Sequence, residues 1–234
     1  MPALTELTED ALGYLLGRGM REATVHRLGI SLWETPSDSP PDANFAATYK
    51  GGAILNGRLV CPAFSPRGLL LGFEARTWQP GAGKHITDYR IFPDSGWNPF
   101  FLGLTPDAME RIWDGADIWL VEGLFDLAAV ERVVPAGDVV LTTLRAKVSD
   151  AHVRFIERVL RKGRMVHVVY DNDTTGRKQT FGWDDDQGKR RRGAIERFQR
   201  VACRHVPYTG GKDPGEIWDR GGEAALRAAF GHIL

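Results

Sequence analysis

Two apolar runs in this chain end abruptly in carboxylates. Ile118-Trp119-Leu120-Val121 is followed by Glu122-Gly123-Leu124-Phe125-Asp126, and Met165-Val166-His167-Val168-Val169-Tyr170 by Asp171-Asn172-Asp173-Thr174-Thr175-Gly176-Arg177. Carboxylates are hard oxygen donors, the kind that Mg²⁺ requires. Glu122, Asp171 and Asp173 therefore form a candidate divalent-metal centre. A blander role suits the same residues, because an acid just after a strand often caps the next helix. Either run alone reads as a cap. Two such runs in one chain, in this order, favour the metal.

The elements that must position these acids follow from patterning. An unbroken β-branched run near helical segments reads as a strand buried on both faces of a parallel sheet. Open α/β sheets place their ligands beyond the carboxyl ends of such strands. From residue 114 the chain runs β-α-β-α-β-α-β. The expected strands are 118–122, 139–144, 165–170 and 204–208, with Leu127, Val130 and Val134 on one helix face and Ser149 capping a helix that turns Val153, Ile156 and Leu160 inward. Before them Thr8 caps a helix carrying Ala11, Leu12, Leu15 and Leu16, and a second short helix ends at Gly29. Residues 33–49 read as a loop, and 58–64 and 69–76 as two strands joined by a turn at Ser65-Pro66-Arg67-Gly68.

Glu-Gly-x-x-Asp closing one strand and Asp-x-Asp-x-x-Gly-Arg closing a later one resemble the TOPRIM domain, shared by DnaG-type primases, topoisomerases and several nucleases. Tyr14-Leu15-Leu16-Gly17-Arg18-Gly19-Met20, Gly57-Arg58-Leu59-Val60-Cys61-Pro62, Gly72-Phe73-Glu74-Ala75-Arg76, Lys84-His85-Ile86-Thr87 and Gly211-Lys212-Asp213-Pro214 resemble segments of DnaG-type primase cores in particular. The resemblance implies an α/β chain: an N-terminal mixed α+β subdomain over 1–113 and a TOPRIM catalytic domain over 114–234, a mostly parallel sheet flanked by helices. It covers about 12–230 but only the catalytic core of the family. That points to a phage- or plasmid-type primase, one served by a separate zinc-binding subunit or replicative helicase, or the excised core of a longer protein.

The implied activity is synthesis of short RNA primers on a single-stranded DNA template from nucleoside triphosphates. Glu122, Asp171 and Asp173 are the implied catalytic residues. With Asp126 and Asp213 they would hold Mg²⁺ or Mn²⁺. Arg58, Arg67, Arg76, Lys84 and Lys212 would hold phosphates of nucleotide or template, for which the guanidinium fork is apt. The alternatives are a metal-dependent TOPRIM nuclease or a non-catalytic module that binds single strands or a helicase. Two departures stand out. Gly215 occupies the place of a further acid, which leaves open whether Glu216 replaces it. The helix after Gly176-Arg177 is interrupted by an inserted stretch at about 179–192, whose Asp run suits a cation and whose Lys-Arg run suits nucleic acid, and which reads as a mobile solvated loop.

Composition sets the outer bounds. With 43% hydrophobic and 26% charged residues the chain is an ordinary globular one. It carries no apolar stretch of transmembrane length and no signal peptide, so a cytoplasmic protein without a membrane partner is expected. Cys61 and Cys203 are the only cysteines and no Cys-x-x-Cys exists, so no zinc site is expected and both thiols read as reduced and buried. Formal net charge is zero, yet residues 107–138 are mostly acidic and 145–204 strongly basic. That asymmetry suits a polyanion held over metal ions, and equally a mixed solvated surface.

Overall fold

The computed structural model describes residues 3–34, 57–79, 86–90, 98–144 and 147–231. It contains two sheets. The first is antiparallel, in the order β1 (Ala3–Thr5), β2 (Ser31–Glu34), β3 (Leu59–Phe64), β4 (Leu70–Arg76) and β5 (Ile86–Arg90). Helices α1 (Glu9–Gly17) and α2 (Glu22–Leu28) lie between β1 and β2 in sequence. The Thr8 side chain accepts from Ala11 N–H at 3.3 Å and fixes the start of α1. Gly29, at φ 65°, ends α2 in the left-handed conformation that glycine adopts freely. The β3–β4 turn closes as expected, Gly68 N–H donating to the Ser65 carbonyl at 2.9 Å.

The second sheet is parallel, in the order β11-β8-β6-β7. Its strands are β6 (Ile118–Val121), β7 (Val139–Thr142), β8 (Met165–Val169) and β11 (Ala202–His205). Between and after them come α4 (Leu124–Val130), α5 (Asp150–Val159), α6 (Thr174–Phe181) and α8 (Pro214–Phe230); α3 (Pro106–Asp114) precedes β6. Successive side chains of β6 enter opposite layers. Ile118 and Leu120 pack with Met109 and Ile112 of α3 and Ile156 of α5. Trp119 and Val121 pack with Leu127 of α4, Ile217 of α8 and Leu15 and Leu28 of the N-terminal helices. Both faces of the sheet are therefore covered, which is why its strands show no polar alternation. Helix α3, expected with the first 113 residues, packs on this second sheet.

The inserted stretch differs from the mobile loop expected of it. It forms a short hairpin, β9 (Trp183–Asp184) with β10 (Arg190–Arg191), followed by α7 (Ala194–Arg197). Asp185 orders the turn: its Oδ1 accepts the N–H groups of Gln187 and Lys189 at 3.1 and 2.9 Å, and its Oδ2 takes Arg191 Nε at 2.8 Å. Those oxygens serve the hairpin itself. The loop expected over 33–49 lies largely outside the described residues.

Candidate metal and nucleotide site

Register brings the two acidic runs together. Strands β6 and β8 pair in parallel with Val121 opposite Val169, so Glu122 and, one residue further along its strand, Asp171 emerge from the same carboxyl edge of the sheet. Asp171 N–H donates to Glu122 Oε1 at 2.9 Å. Thr142 at the end of β7 braces the same edge, its hydroxyl donating to the Glu122 carbonyl at 2.6 Å. Two further acids arrive on helix starts. Asp173 caps α6, its Oδ1 accepting Gly176 N–H at 2.8 Å, and Asp213 caps α8, its Oδ1 accepting Glu216 N–H at 2.7 Å. The capping role and the site role are thus compatible, because a cap engages one carboxylate oxygen and leaves the other. Asp126 sits in the first turn of α4 and bridges two loops, accepting Gly123 N–H and Gly215 N–H, each at 3.1 Å.

Gly176 explains the glycine of the second run. A Cβ at that position would lie 2.1 Å from the Asp171 carbonyl oxygen and 2.8 Å from its nitrogen. Helix α6 therefore packs directly on the backbone that carries Asp171. Asn172 and Tyr208 tie this turn to the loop before α8. Asn172 donates its side-chain N–H groups to the carbonyls of Tyr208 and Gly211 at 3.1 and 3.2 Å. The Tyr208 hydroxyl lies 2.9 Å from the Lys212 carbonyl and 3.2 Å from that of Tyr170.

The acids are crowded and partly desolvated. Burial, then the neighbouring Asp171 charge, pushes Glu122 up to about 8. Burial, with Asp213 and Asp171, pushes Asp126 up to about 7. Burial raises Asp171 as well, against the pull of Lys212. Asp173 alone moves down, chiefly through the hydrogen bond from Gly176. A cation brought into such a cluster favours the charged forms of its acids. Lys212 is the cation present: its ammonium lies 3.3 Å from Asp171 and 3.2 Å from Asp173. Among the described residues no three His, Cys, Asp or Glu side chains converge closely enough to hold a metal ion as they stand. The donor chemistry nevertheless suits a hard divalent ion, and the Lys212 ammonium marks where Asp171 and Asp173 accept positive charge.

Glu122, Asp126, Asp171 and Asp213 line a cleft of about 490 Å³ whose far wall comes from the N-terminal half of the chain, and Asp173 joins it through Lys212. Arg76 lines it, paired with the buried Glu74 at 3.2 Å and lying over the Phe125 ring at 4.2 Å. Arg18 lies over the same ring at 4.3 Å and pairs with Asp219 at 3.1 Å. The Nη1 of Arg76 is buried without a hydrogen-bond partner, a donor available to an anion. The other expected phosphate contacts fare differently. Arg58 is buried at the start of β3 and Arg67 is exposed in the β3–β4 turn; neither lines the cleft. Lys84 lies outside the described residues. Lys212 lines the cleft but holds carboxylates. Glu216 accepts Lys212 N–H at 2.6 Å and pairs with Arg220, so it braces the loop. A Cβ at Gly215 would sit 3.3–3.4 Å from oxygens of Asp213 and Asp126, so an acid here would start among carboxylates.

Several of these contributors were not assigned a role from sequence. Tyr14 and Arg18 stood in a recognised motif without a chemical role. Asn172 stood between two acids. Nothing local marked Phe125 or Tyr208. The turn after β7 is also distinctive: Leu144 lines the cleft at φ 59°, a left-handed conformation that favours glycine.

No family model matches the sequence, and no curated protein matches it. Solved structures do. The Aquifex aeolicus primase, comprising zinc-binding and RNA polymerase domains, superposes with a TM-score of 0.62 at 19% identity over 96% of this chain and 56% of its own. The chain thus spans a little over half of that one. The RNA polymerase domain of Mycobacterium tuberculosis primase DnaG gives 0.62 at 18% identity, over 96% of this chain and 77% of its own. A DnaG primase catalytic domain bound to single-stranded DNA gives 0.59 at 17%, over 96% and 71%. The chain has the fold of the DnaG-type primase catalytic core.

Proposed function

We propose that the chain is a primase catalytic core that joins nucleoside triphosphates on single-stranded DNA by divalent-metal-dependent nucleotidyl transfer. The observation that carries this is the parallel register of β6 and β8, which sets Glu122 against Asp171 inside a cleft that also presents Arg76. The likeness to a DnaG domain bound to single-stranded DNA supports the substrate class.

Glu122, Asp171, Asp173 and Asp213 would hold Mg²⁺ or Mn²⁺, with Asp126 orienting them through the loops it bridges. When bound, the metal supplies a lowered pKa for the attacking hydroxyl and neutralises charge on the phosphates. Lys212 holds the oxygens of Asp171 and Asp173 that would take such an ion, and its ammonium, lining the cleft, would then be available to a phosphate. Arg76 is positioned by Glu74 and Phe125, so its fork meets an incoming phosphate with little ordering left to do. A replicative helicase or a separate zinc-binding subunit are partners this reading admits. No described helix is long and apolar enough to cross a membrane.

The test is incorporation of labelled nucleotides on single-stranded DNA. Asp171→Asn should lower it by more than about 100-fold, since even residues that only orient a metal's ligands are worth 10–100-fold. Its thermal unfolding should stay close to wild type. Normal incorporation by that variant would sink the metal assignment.

A further inference from the structure

A strongly positive surface lies outside the cleft, in a chain whose net charge is formally zero. Lys147, Arg190, Arg191, Arg192 and Arg197 line an open depression of about 570 Å³. Arg192 and Arg197 continue into a second, of about 470 Å³, which Arg154 and Arg200 also line. Acids neutralise part of it: Arg190 pairs with Glu196, Arg191 with Asp185, and Arg197 with Asp150. The side chains of Lys147, Arg154, Arg192 and Arg200 have no hydrogen-bond or ion-pair partner among the described residues, and Glu157 nearby directs an oxygen to the backbone N–H groups of Gln199 and Arg200. Positive charge is therefore left over along a continuous concave face.

Aromatic rings are set among these cations. Trp183 lines the first depression, and Phe181, two residues before it, is 44% exposed. Arg190 donates to the Phe181 backbone carbonyl at 2.9 Å, and the Phe181 ring meets His205 edge-on at 5.0 Å between centroids. Cations interleaved with exposed rings suit a single strand, whose phosphates meet the charges while its bases stack. An acidic peptide would need only the charges.

The surface is also tied to the cleft by two short connections. Helix α6 begins at the cap Asp173 and ends at Phe181; its eight residues span about 12 Å. The loop after β7 runs from Leu144, which lines the cleft, to Lys147, which lines the depression. Three residues reach at most about 11 Å. At ~3.4 Å per nucleotide along a strand, the gap is roughly three to four nucleotides.

We propose that this face, built by the β9–β10 hairpin with α7 and α5, holds the sugar-phosphate backbone of a single DNA strand running through the catalytic cleft. It rests on the nucleic-acid reading above. The probe is a fluorescein-labelled oligothymidylate of about 20 nucleotides, followed by anisotropy across a salt series from ~50 to ~300 mM. Lys147→Gln with Arg192→Gln removes two exposed, unpaired cations without touching the cleft. The double variant should lose roughly tenfold affinity at low salt, and the magnitude of its log–log salt slope should fall by about 1.4, or ~0.7 per phosphate contact on a single strand. Trp183→Ala should weaken binding and leave the slope unchanged. Both variants should unfold at the wild-type temperature. Wild-type affinity and slope in the double variant would overturn this inference alone. Failure of the wild-type protein to bind the oligonucleotide would overturn it together with the nucleic-acid reading. Competition by oligoglutamate as strong as by unlabelled oligothymidylate would assign the face to an acidic peptide instead.

Discussion

Two glycine-to-alanine changes, both inside helices, should move stability in opposite directions. Gly13 lies within α1 with nothing within 4 Å of where a Cβ would stand. Alanine there gains about 1 kcal/mol of helix propensity, which for a chain of this size raises the unfolding temperature by about 2–4 °C. Gly176 lies within α6, where the same propensity gain applies, but its Cβ would fall 2.1 Å from the Asp171 carbonyl oxygen. That neighbour is backbone and cannot swing aside, so Asp171 must shift by about an ångström. Overpacking of this kind costs about 3 kcal/mol, leaving a net loss of about 2 kcal/mol and a fall of about 4–8 °C. The shift also moves a metal-holding carboxylate, and a 1 Å misplacement costs on the order of 100-fold in rate. Thermal unfolding of both variants, with nucleotide incorporation alongside, checks this. A Gly176→Ala protein that melts with wild type and keeps its activity would refute the claim that α6 seats on the Asp171 backbone.

The acidic cluster should make the metal-free protein lose stability as pH rises. Glu122 is raised from 4.5 to about 8 and Asp126 from 3.8 to about 7, so each binds its proton more tightly folded than unfolded. Their contribution is complete below about pH 4 and is lost by about pH 8. Lowered acids such as Asp173 act below that window, and His205, whose pKa burial lowers, opposes the trend within it. Unfolding temperature should therefore fall between about pH 5 and 8 without divalent ions, and Mg²⁺ should stabilise more at pH 8 than at pH 5; a metal-free protein that gains stability over that range would contradict the shifts. Tyr208→Phe removes the hydroxyl between the Lys212 and Tyr170 carbonyls, at a cost of about 1–2 kcal/mol. Denaturant unfolding measures it, and an unchanged midpoint would show that the loop before α8 is held by other contacts.

The parallel sheet was legible because its cause is local. A strand covered on both faces must be apolar at every position, and Ile118–Val121 and Met165–Val169 are nearly so. The last strand was expected over 204–208 but forms over Ala202–His205. Val206 and Tyr208 are buried beyond its end, and their alternation imitated a strand. The hairpin at 183–191 was read as a mobile loop because two-residue strands carry no period; its order comes from the Asp185 side chain. At the site, Glu122, Asp171 and Asp173 stood out by type and position. The fate of the cations did not, since charge alone does not distinguish the buried Arg58, the cleft-lining Arg76 and a Lys212 paired with two acids. Those distinctions arise only when distant segments meet.

The central claim is that these carboxylates serve strand synthesis. Its most direct test is a primer-free reaction on labelled single-stranded DNA with nucleoside triphosphates and Mg²⁺ or Mn²⁺, on a gel that resolves both new products and template length. The predicted result is short template-dependent products with the template intact, and no products from Asp171→Asn or Glu122→Gln. A shortened template without new products would contradict it and make the same acids those of a nuclease.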